Sequence, residues 1–162
     1  MLLALPFSIT SCGDDEPEAN DSISIIGKWT SNAKFDTGGG ETITYLPNGM
    51  EDITTTPGKQ SEGTLTLEFY SDKVCGVSYL DYSIGYEYII NEKVITFTNS
   101  YGESCSYNIN FDKSNLSLSY ISGDTSLGTV RKTSQKVQED GTIFSVTNEY
   151  AYVLESTLNF KR

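Results

Sequence analysis

The side chains that could carry out chemistry in this chain are three cysteines, 22 Asp and Glu residues and 11 tyrosines, and there is no histidine. Histidine is the commonest general base near neutral pH and the commonest protein ligand of transition metals. The sequence also has no Gly-x-Ser-x-Gly elbow, no Cys-x-x-Cys pair, no Walker sequence and no calcium-loop spacing of acids. We therefore expect a protein that is not an enzyme and that uses neither a metal ion nor a cofactor.

Pairs of adjacent carboxylates, such as Asp14-Asp15 and Glu51-Asp52, are the remaining candidates for catalysis. Cleavage of a glycan by paired acids requires two carboxylates that face each other across a cleft at roughly 5 to 10 Å. The first pair lies in a polar leader and the second in a threonine-rich stretch. A solvated surface is the expected environment of both pairs.

Composition limits both the partners and the fold. The 22 acidic residues against 11 basic ones give a net charge of −11. This charge repels phosphate backbones and anionic lipid headgroups, so nucleic acid is not an expected partner. Abundant Tyr, Thr, Ser, Val and Ile favour β-sheet over helix, and a length of 162 residues suits one domain.

The N-terminus resembles the signal peptide of a bacterial lipoprotein. Residues 2–9 are an apolar run, too short to cross a bilayer but of the length found in signal peptides. The tetrapeptide Ile9-Thr10-Ser11-Cys12 resembles a lipobox, whose cysteine is acylated, and residues 13–18 resemble the acidic tract that follows it. No Lys or Arg precedes the run, as expected if the true start lies upstream of Met1.

Three segments follow from this resemblance: a signal peptide at 1–11, an acidic flexible tether at 12–24 and a folded domain at 25–162. Acyl chains such as palmitate on Cys12 would anchor the protein to the outer membrane or cell surface without a membrane-spanning segment. The alternative is a disordered N-terminus with an unmodified thiol.

Alternation of apolar and polar residues is the dominant pattern from Ile25 onward, and it is clearest at 105–111, where every second residue is apolar. Turn sequences interrupt the pattern about every eight to twelve residues, which leaves no room for helical crossovers and predicts antiparallel neighbours. We predict strands near 25–31, 41–46, 50–56, 64–70, 74–80, 84–90, 93–99, 104–111, 115–121 and 150–160, and shorter ones near 128–133 and 142–147.

A meander of this size avoids exposed sheet edges best by closing on itself. We therefore predict an all-β fold, a single antiparallel up-and-down β-barrel of about 8–10 strands. Gly38-Gly39-Gly40 lacks the Lys-Ser/Thr of a phosphate-binding loop and is predicted to be a mobile loop at the barrel mouth.

Several motifs in order resemble the lipocalin-like domains of exported bacterial lipoproteins, which are calycin-type barrels. These are the lipobox with its acidic stalk, Gly27-Lys28-Trp29 on the first strand, a Tyr-Leu-Pro-Asn-Gly turn at 45–49, serial hairpins and a long final strand that ends in Phe160-Lys161-Arg162. The resemblance covers essentially the whole chain. It implies that Gly27 and Trp29 close one barrel end and that a late basic residue, Arg162 or Arg131, covers the indole in a cation–π contact worth about 1 kcal/mol.

A barrel of about eight strands can enclose one small ligand. Aromatic residues expected to face inward are therefore candidate ligand contacts; the alternative, favoured for most of them, is that they fill the core. They are Tyr45, Phe69, Tyr86, Tyr88, Tyr107, Tyr120 and Tyr152.

Cys75 and Cys105 form a candidate disulfide, because paired cysteines of exported proteins are usually bridged. A sequential meander, however, places them on strands three apart and at opposite barrel ends, beyond the ~7 Å between Cα atoms that a bridge tolerates. The sequence leaves both outcomes open.

Two functions remain. One is a lipid-anchored binding protein of the cell envelope that holds a small apolar or amphipathic ligand in its barrel, with no partner besides that ligand and the membrane at its anchor. The other is an interaction or structural lipoprotein that docks a glycan or an envelope protein through its loops or acidic outer face. A monomer is the default expectation for both.

Overall fold

The computed structural model describes residues 24–162, which form eleven β-strands and no helix. The strands are β1 (Gly27–Tyr45), β2 (Glu51–Thr56), β3 (Lys59–Phe69), β4 (Val74–Tyr79), β5 (Tyr82–Asn91), β6 (Val94–Asn99), β7 (Ser104–Phe111), β8 (Asn115–Gly123), β9 (Val130–Val137), β10 (Ile143–Val153) and β11 (Thr157–Lys161). No helix in this part of the chain is long and apolar enough to span a membrane. The predicted signal peptide, Cys12 and the tether up to residue 23 lie outside the described residues.

Eight of the strands form a closed antiparallel barrel in the order β1–β3–β4–β5–β6–β7–β8–β11. The barrel closes where Thr30 of β1 pairs with Lys161 of β11. Alternate residues of these strands point inward and are buried, as the period-two pattern predicts. The predicted all-β antiparallel barrel is therefore confirmed.

The other three strands extend β1 beyond the barrel. Past Thr37, β1 pairs with β2 on one side and with β10 on the other, and β9 pairs with β10. We call this four-stranded antiparallel arrangement, in the order β2–β1–β10–β9, the outer sheet. The sequence analysis predicted its strands but not their separation from the barrel.

The mobile loop predicted at Gly38-Gly39-Gly40 is wrong, because these residues lie inside β1. The ladder with β10 shifts register between Thr37 and Gly39, and Gly38 has a φ of 72°. A Cβ at Gly40 would collide with the carbonyl oxygen of Asn148 on the neighbouring strand. The glycines therefore allow a bulge and a close strand approach, which is where β1 leaves the barrel.

The predicted strand at 150–160 is two strands, β10 and β11, separated at 154–156. At the break the amide of Leu154 donates to the carbonyl of Lys34 (2.9 Å), and the amide of Lys34 donates to Oε1 of Glu155 (2.7 Å). A side-chain oxygen thus replaces a backbone acceptor where β1 changes partner from β11 to β10. Periodicity alone does not reveal such a substitution.

Trp29 and Arg162 close one end of the barrel. The indole is fully buried, and the Arg162 guanidinium carbon lies 4.9 Å from the ring centroid. Nη2 of Arg162 donates to the carbonyls of Ile26 and Ser24, and Nε1 of Trp29 donates to the carbonyl of Ile25 (2.8 Å). The structure therefore places Arg162 at the position that the resemblance gave to either arginine.

Gly27 allows this arrangement, because its φ is 126° and an added Cβ would lie 3.0 Å from Nη2 of Arg162. The alternative assignment of Arg131 to the indole is wrong. Arg131 lies on β9, which joins the outer sheet rather than the barrel, and there it forms a 2.7 Å ion pair with Glu103.

Replacing Arg162 with Ala is expected to lower the free energy of unfolding by about 1–3 kcal/mol, from the lost cation–π contact and the carbonyls left without their charged donor. Urea unfolding followed by the fluorescence of Trp29, the single tryptophan, measures the change. The exposed neighbour Lys161, replaced with Ala, is the matched control. Equal effects of the two substitutions would contradict a closing role for Arg162.

Candidate functional site

The mouth of the barrel is filled by the connection between β8 and β9. We call residues 124–129 the plug. Leu127 and Gly128 at its centre are buried, and Leu127 belongs to the same apolar core as the inward-facing residues of the barrel. Beneath the plug the interior is packed with aromatic rings, such as the stacked pair Phe35–Tyr79 with centroids 4.4 Å apart.

Three buried tyrosines hold the plug by its backbone. The hydroxyl of Tyr107 accepts from the amide of Leu127 (2.9 Å), and the hydroxyl of Tyr86 accepts from the amide of Gly128 (2.9 Å). The hydroxyl of Tyr79 donates to the carbonyl of Gly128 (2.6 Å). Buried phenols require hydrogen-bond partners, and here the chain itself supplies them.

The seven aromatic residues predicted to contact a ligand are not brought together around one space. Phe69, Tyr86, Tyr88 and Tyr107 are buried in the core. Tyr45 is exposed on the outer sheet, and Tyr120 packs edge to face on Tyr107 at 5.5 Å with its own ring partly exposed. Of the seven, only Tyr152 lines the open groove described below.

Cys75 and Cys105 are buried free thiols. Burial raises the pKa of each to about 12 from 9.0. The cross-strand pairing puts Cys75 in one row with Tyr86 and Asn99, and Cys105 in one row with Phe97. These two rows are two residues apart along β6. The predicted location of the cysteines at opposite barrel ends is therefore wrong. That location was inferred from where the two strands start. Neighbouring strands of a barrel are staggered, so the start of a strand does not mark an end of the barrel.

A concave site of about 690 Å³ lies outside the barrel as an open groove, where β1, β10, the β2–β3 connection and the plug meet. Tyr150 and Tyr152 line its wall. They alternate along β10 with Ala151 and Val153, which are buried in the core, so the two tyrosines point away from the core on a common face.

Carboxylates and hydroxyls line the rest of the groove. Asp36, Glu41 and Asp124 supply the carboxylates, and the hydroxyl groups come from Thr55, Thr56, Thr125, Ser126 and Thr129. The Oγ1 atom of Thr125 is buried and has no hydrogen-bond partner. The polar groups accessible to a ligand in the groove are therefore the carboxylates and the other hydroxyls.

Arg131 supplies the positive charge of the groove, and two contacts hold it. Its guanidinium forms the ion pair with Glu103 and lies 5.9 Å from the centroid of the Tyr150 ring. The charge of Arg131 is thus compensated by Glu103, while the three groove carboxylates remain. Net negative charge, flat aromatic surface and many hydroxyls suit a polar ligand that is neutral or cationic.

Glycines keep this groove open. A Cβ at Gly58 would collide with the carboxylate of Asp36, and a Cβ at Gly39 would approach the backbone of Gly58 to 2.9 Å. Within residues 24–162 no three His, Cys, Asp or Glu side chains are placed to hold a metal ion together. The groups that line the groove are aromatic rings, hydroxyls and carboxylates.

Among the groove residues, the sequence analysis identified only Tyr152 as a ligand contact; it gave Arg131, Gly39 and Gly40 other roles. The others come from four separated stretches, 36–41, 55–58, 124–131 and 150–152, which meet only because the outer sheet forms. Comparison of the chain with protein families, with curated proteins and with solved structures found no match.

Stability is expected to fall at alkaline pH. Burial raises the pKa of Tyr79, Tyr86 and Tyr107 above the ordinary 10.0, and that of both core cysteines to about 12. The unfolded chain releases these protons from about pH 9 upward, where the folded chain retains them. The free energy of unfolding should therefore hold below pH 9 and fall above it by up to about 1.4 kcal/mol per pH unit for each such proton.

Urea unfolding between pH 7 and pH 11, followed by Trp29 fluorescence, measures this change. Absorbance at 295 nm reports tyrosinate and should show three tyrosines that ionise only on unfolding. A midpoint that stays constant up to pH 11 would contradict the role of the buried hydroxyls.

The two core thiols are expected to be inert in the folded protein and reactive after unfolding, since burial disfavours the thiolate that attacks a disulfide reagent. A Cys12→Ser chain purified without reductant should give no rapid reaction with Ellman's reagent at pH 8 and two thiols in urea. Zero thiols in urea would instead establish a disulfide between Cys75 and Cys105.

Proposed function

We propose that this protein is a non-catalytic binding protein of the cell envelope, anchored by lipid on Cys12, whose ligand occupies the groove outside the barrel. The observation that carries the proposal is the contrast between the two candidate spaces. The mouth of the barrel is filled by the plug and its tyrosines, whereas the groove is open and lined by aromatic rings, hydroxyls and carboxylates.

The lipid anchor is supported by the sequence. Cys12 follows an aliphatic and two small residues, and the acidic stretch after it resembles the tether of surface-displayed lipoproteins. Such a tether would hold the domain away from a membrane and leave the groove accessible. The barrel itself is compatible with the lipocalin-like domains of exported lipoproteins that the sequence resembles.

The proposed ligand is a neutral or amine-bearing glycan. Two tyrosines on one face offer flat surfaces for sugar rings, and the carboxylates and threonine hydroxyls can accept and donate hydrogen bonds to sugar hydroxyls. A volume of about 690 Å³ lies within the usual range of small-molecule sites. Phosphorylated or uronic-acid ligands are disfavoured, since Asp36, Glu41 and Asp124 would repel them.

A second candidate is the carrier of a small apolar ligand in the barrel. The eight-stranded barrel, whose size suits one small ligand, favours it. The plug would have to leave, breaking three hydrogen bonds at a cost of about 1–3 kcal/mol for each buried group left unpaired. It would also expose Leu127, which is fully buried.

Tyr152→Ala is expected to weaken glycan binding about tenfold, since one stacked ring supplies on the order of 1.4 kcal/mol. Neutral, amine-bearing and uronic-acid-bearing oligosaccharides on an array give the class, and titration calorimetry with the strongest binder gives the constants. Tyr101, 72 % exposed and outside the groove, is the matched control as Tyr101→Ala.

Binding of uronic-acid glycans above neutral ones would contradict the charge argument. Binding of an apolar fluorescent probe that Leu127→Trp abolishes and Tyr152→Ala leaves unchanged would establish the carrier instead.

The anchor is tested separately. Cells that express the whole protein are fed an alkyne analogue of palmitate, and the label is expected on the native chain and absent from Cys12→Ala. Equal labelling of both chains would refute acylation at Cys12, whatever the groove binds.

A further inference from the structure

We propose that the outer sheet pairs edge to edge with the outer sheet of a second copy of this chain, β2 of one copy against β9 of the next. This inference is independent of the ligand in the groove. Within residues 24–162, β2 pairs with β1 alone and β9 with β10 alone. Every residue of β2 is exposed, and so is β9 from Arg131 onward. Each strand thus presents unpaired backbone donors and acceptors, which are a template for another strand.

The accessible part of the β9 edge is 133–137. Closer to the barrel, Arg131 is held by Glu103, and Nζ of Lys132 lies 4.9 Å from the centroid of the Tyr82 ring. These contacts place the start of β9 against the barrel wall. Beyond them, Lys136 is the charged residue of the strand, whereas β2 carries Glu51 and Asp52 and no base.

The register of the outer sheet aligns these opposite charges. Asp52 pairs with Thr44, Thr44 with Ser145, and Ser145 with Lys136, so the four residues form one row across the sheet. Paired residues point to the same face. A second copy placed beside the first at the same level therefore sets its Asp52 opposite Lys136 of the first copy, on that common face.

The strand directions also fit. Each neighbouring pair in the outer sheet is antiparallel, so β2 and β9 at its two edges run in opposite directions. Two copies in the same orientation consequently bring β9 and β2 together as an antiparallel pair. Copies anchored to one membrane would share such an orientation, and their confinement to a surface raises the effective concentration.

Charge argues against the symmetric alternatives. Antiparallel pairing of β9 with β9 about Ser134 would set Lys132 opposite Lys136, and pairing of β2 with β2 would join two acidic edges. The pairing is head to tail and leaves a free β2 at one end and a free β9 at the other, so it extends beyond a dimer. The net charge of −11 opposes it and keeps it weak in dilute solution.

Cross-linking provides the test. The full chain with Cys12→Ser carries Asp52→Cys and Lys136→Cys, and its two native cysteines are fully buried. Within one copy these positions lie three strand spacings apart, about 14 Å, which exceeds the ~7 Å that a disulfide tolerates. Mild oxidation should therefore give dimers and a ladder of higher species on a non-reducing gel. A Glu87→Cys/Lys136→Cys chain, with Glu87 exposed on the barrel wall, is the control.

Sedimentation velocity of the chain with native Asp52 and Lys136 should show association that rises with concentration. Asp52→Lys is expected to lower the association constant about two- to fivefold, and Asp52→Lys with Lys136→Asp to restore it. Trp29 fluorescence verifies that each variant is folded.

Three results would overturn the proposal. The first is cross-linking no greater than in the Glu87→Cys control, with a monomer at every concentration. The second is equally efficient cross-linking of Asp52→Cys alone, which would indicate β2 against β2. The third is slow hydrogen exchange, in dilute monomer, of the β2 amides that point away from β1, which would indicate that the chain's own N-terminal residues cover this edge.

Discussion

Strand β1 is hydrogen-bonded to β11 at Thr30 and to β10 from Phe35 onward, and this change of partner determines both sheets. Before the change, β1 closes the barrel, whereas after it the strand forms the centre of the outer sheet. The change takes place where Glu155 supplies a side-chain acceptor to the Lys34 amide. Three residues later the register shift at Thr37 and Gly39 turns β1 away from the barrel. The groove, the plug and the free edges all depend on this separation.

The plug shows how buried hydroxyls can determine whether the interior of a barrel is filled by its own chain. A barrel of eight strands has room for a ligand or for side chains, and the tyrosines on its inner face need hydrogen-bond partners in either case. Here Leu127 supplies apolar volume, and the backbone around Gly128 supplies donors and an acceptor. A glycine is required at that point, because its φ is 81° and a Cβ would lie 3.2 Å from the Tyr79 ring.

The sequence predicted well what depends on local pattern. Alternation at 105–111 predicted a buried face, the Pro-Asn-Gly turn predicted the β1–β2 hairpin, and serial hairpins predicted an antiparallel barrel. What it did not predict depends on which residues meet across distant segments. The bulge in β1, the acceptor from Glu155 and the entry of Leu127 into the mouth each involve partners separated by tens of residues. Four such segments build the groove, so Tyr152 is the one groove residue that the sequence analysis identified as a ligand contact.

The pairing of the first strand with the last two has a consequence for folding order. Hairpins between β3 and β8 join sequence neighbours and can form as soon as their residues are available, whereas β1 must wait for β10 and β11. Contacts across such a sequence separation slow folding, because the entropy of closing a long loop is lost before the contacts form. In a chain synthesised N-terminus first, the β1 edge that pairs with β10 and β11 would meanwhile expose unpaired backbone, and Trp29 and Phe35 would lack the packing of the closed barrel. The interval before closure is therefore when this chain is most open to aggregation and to chaperones.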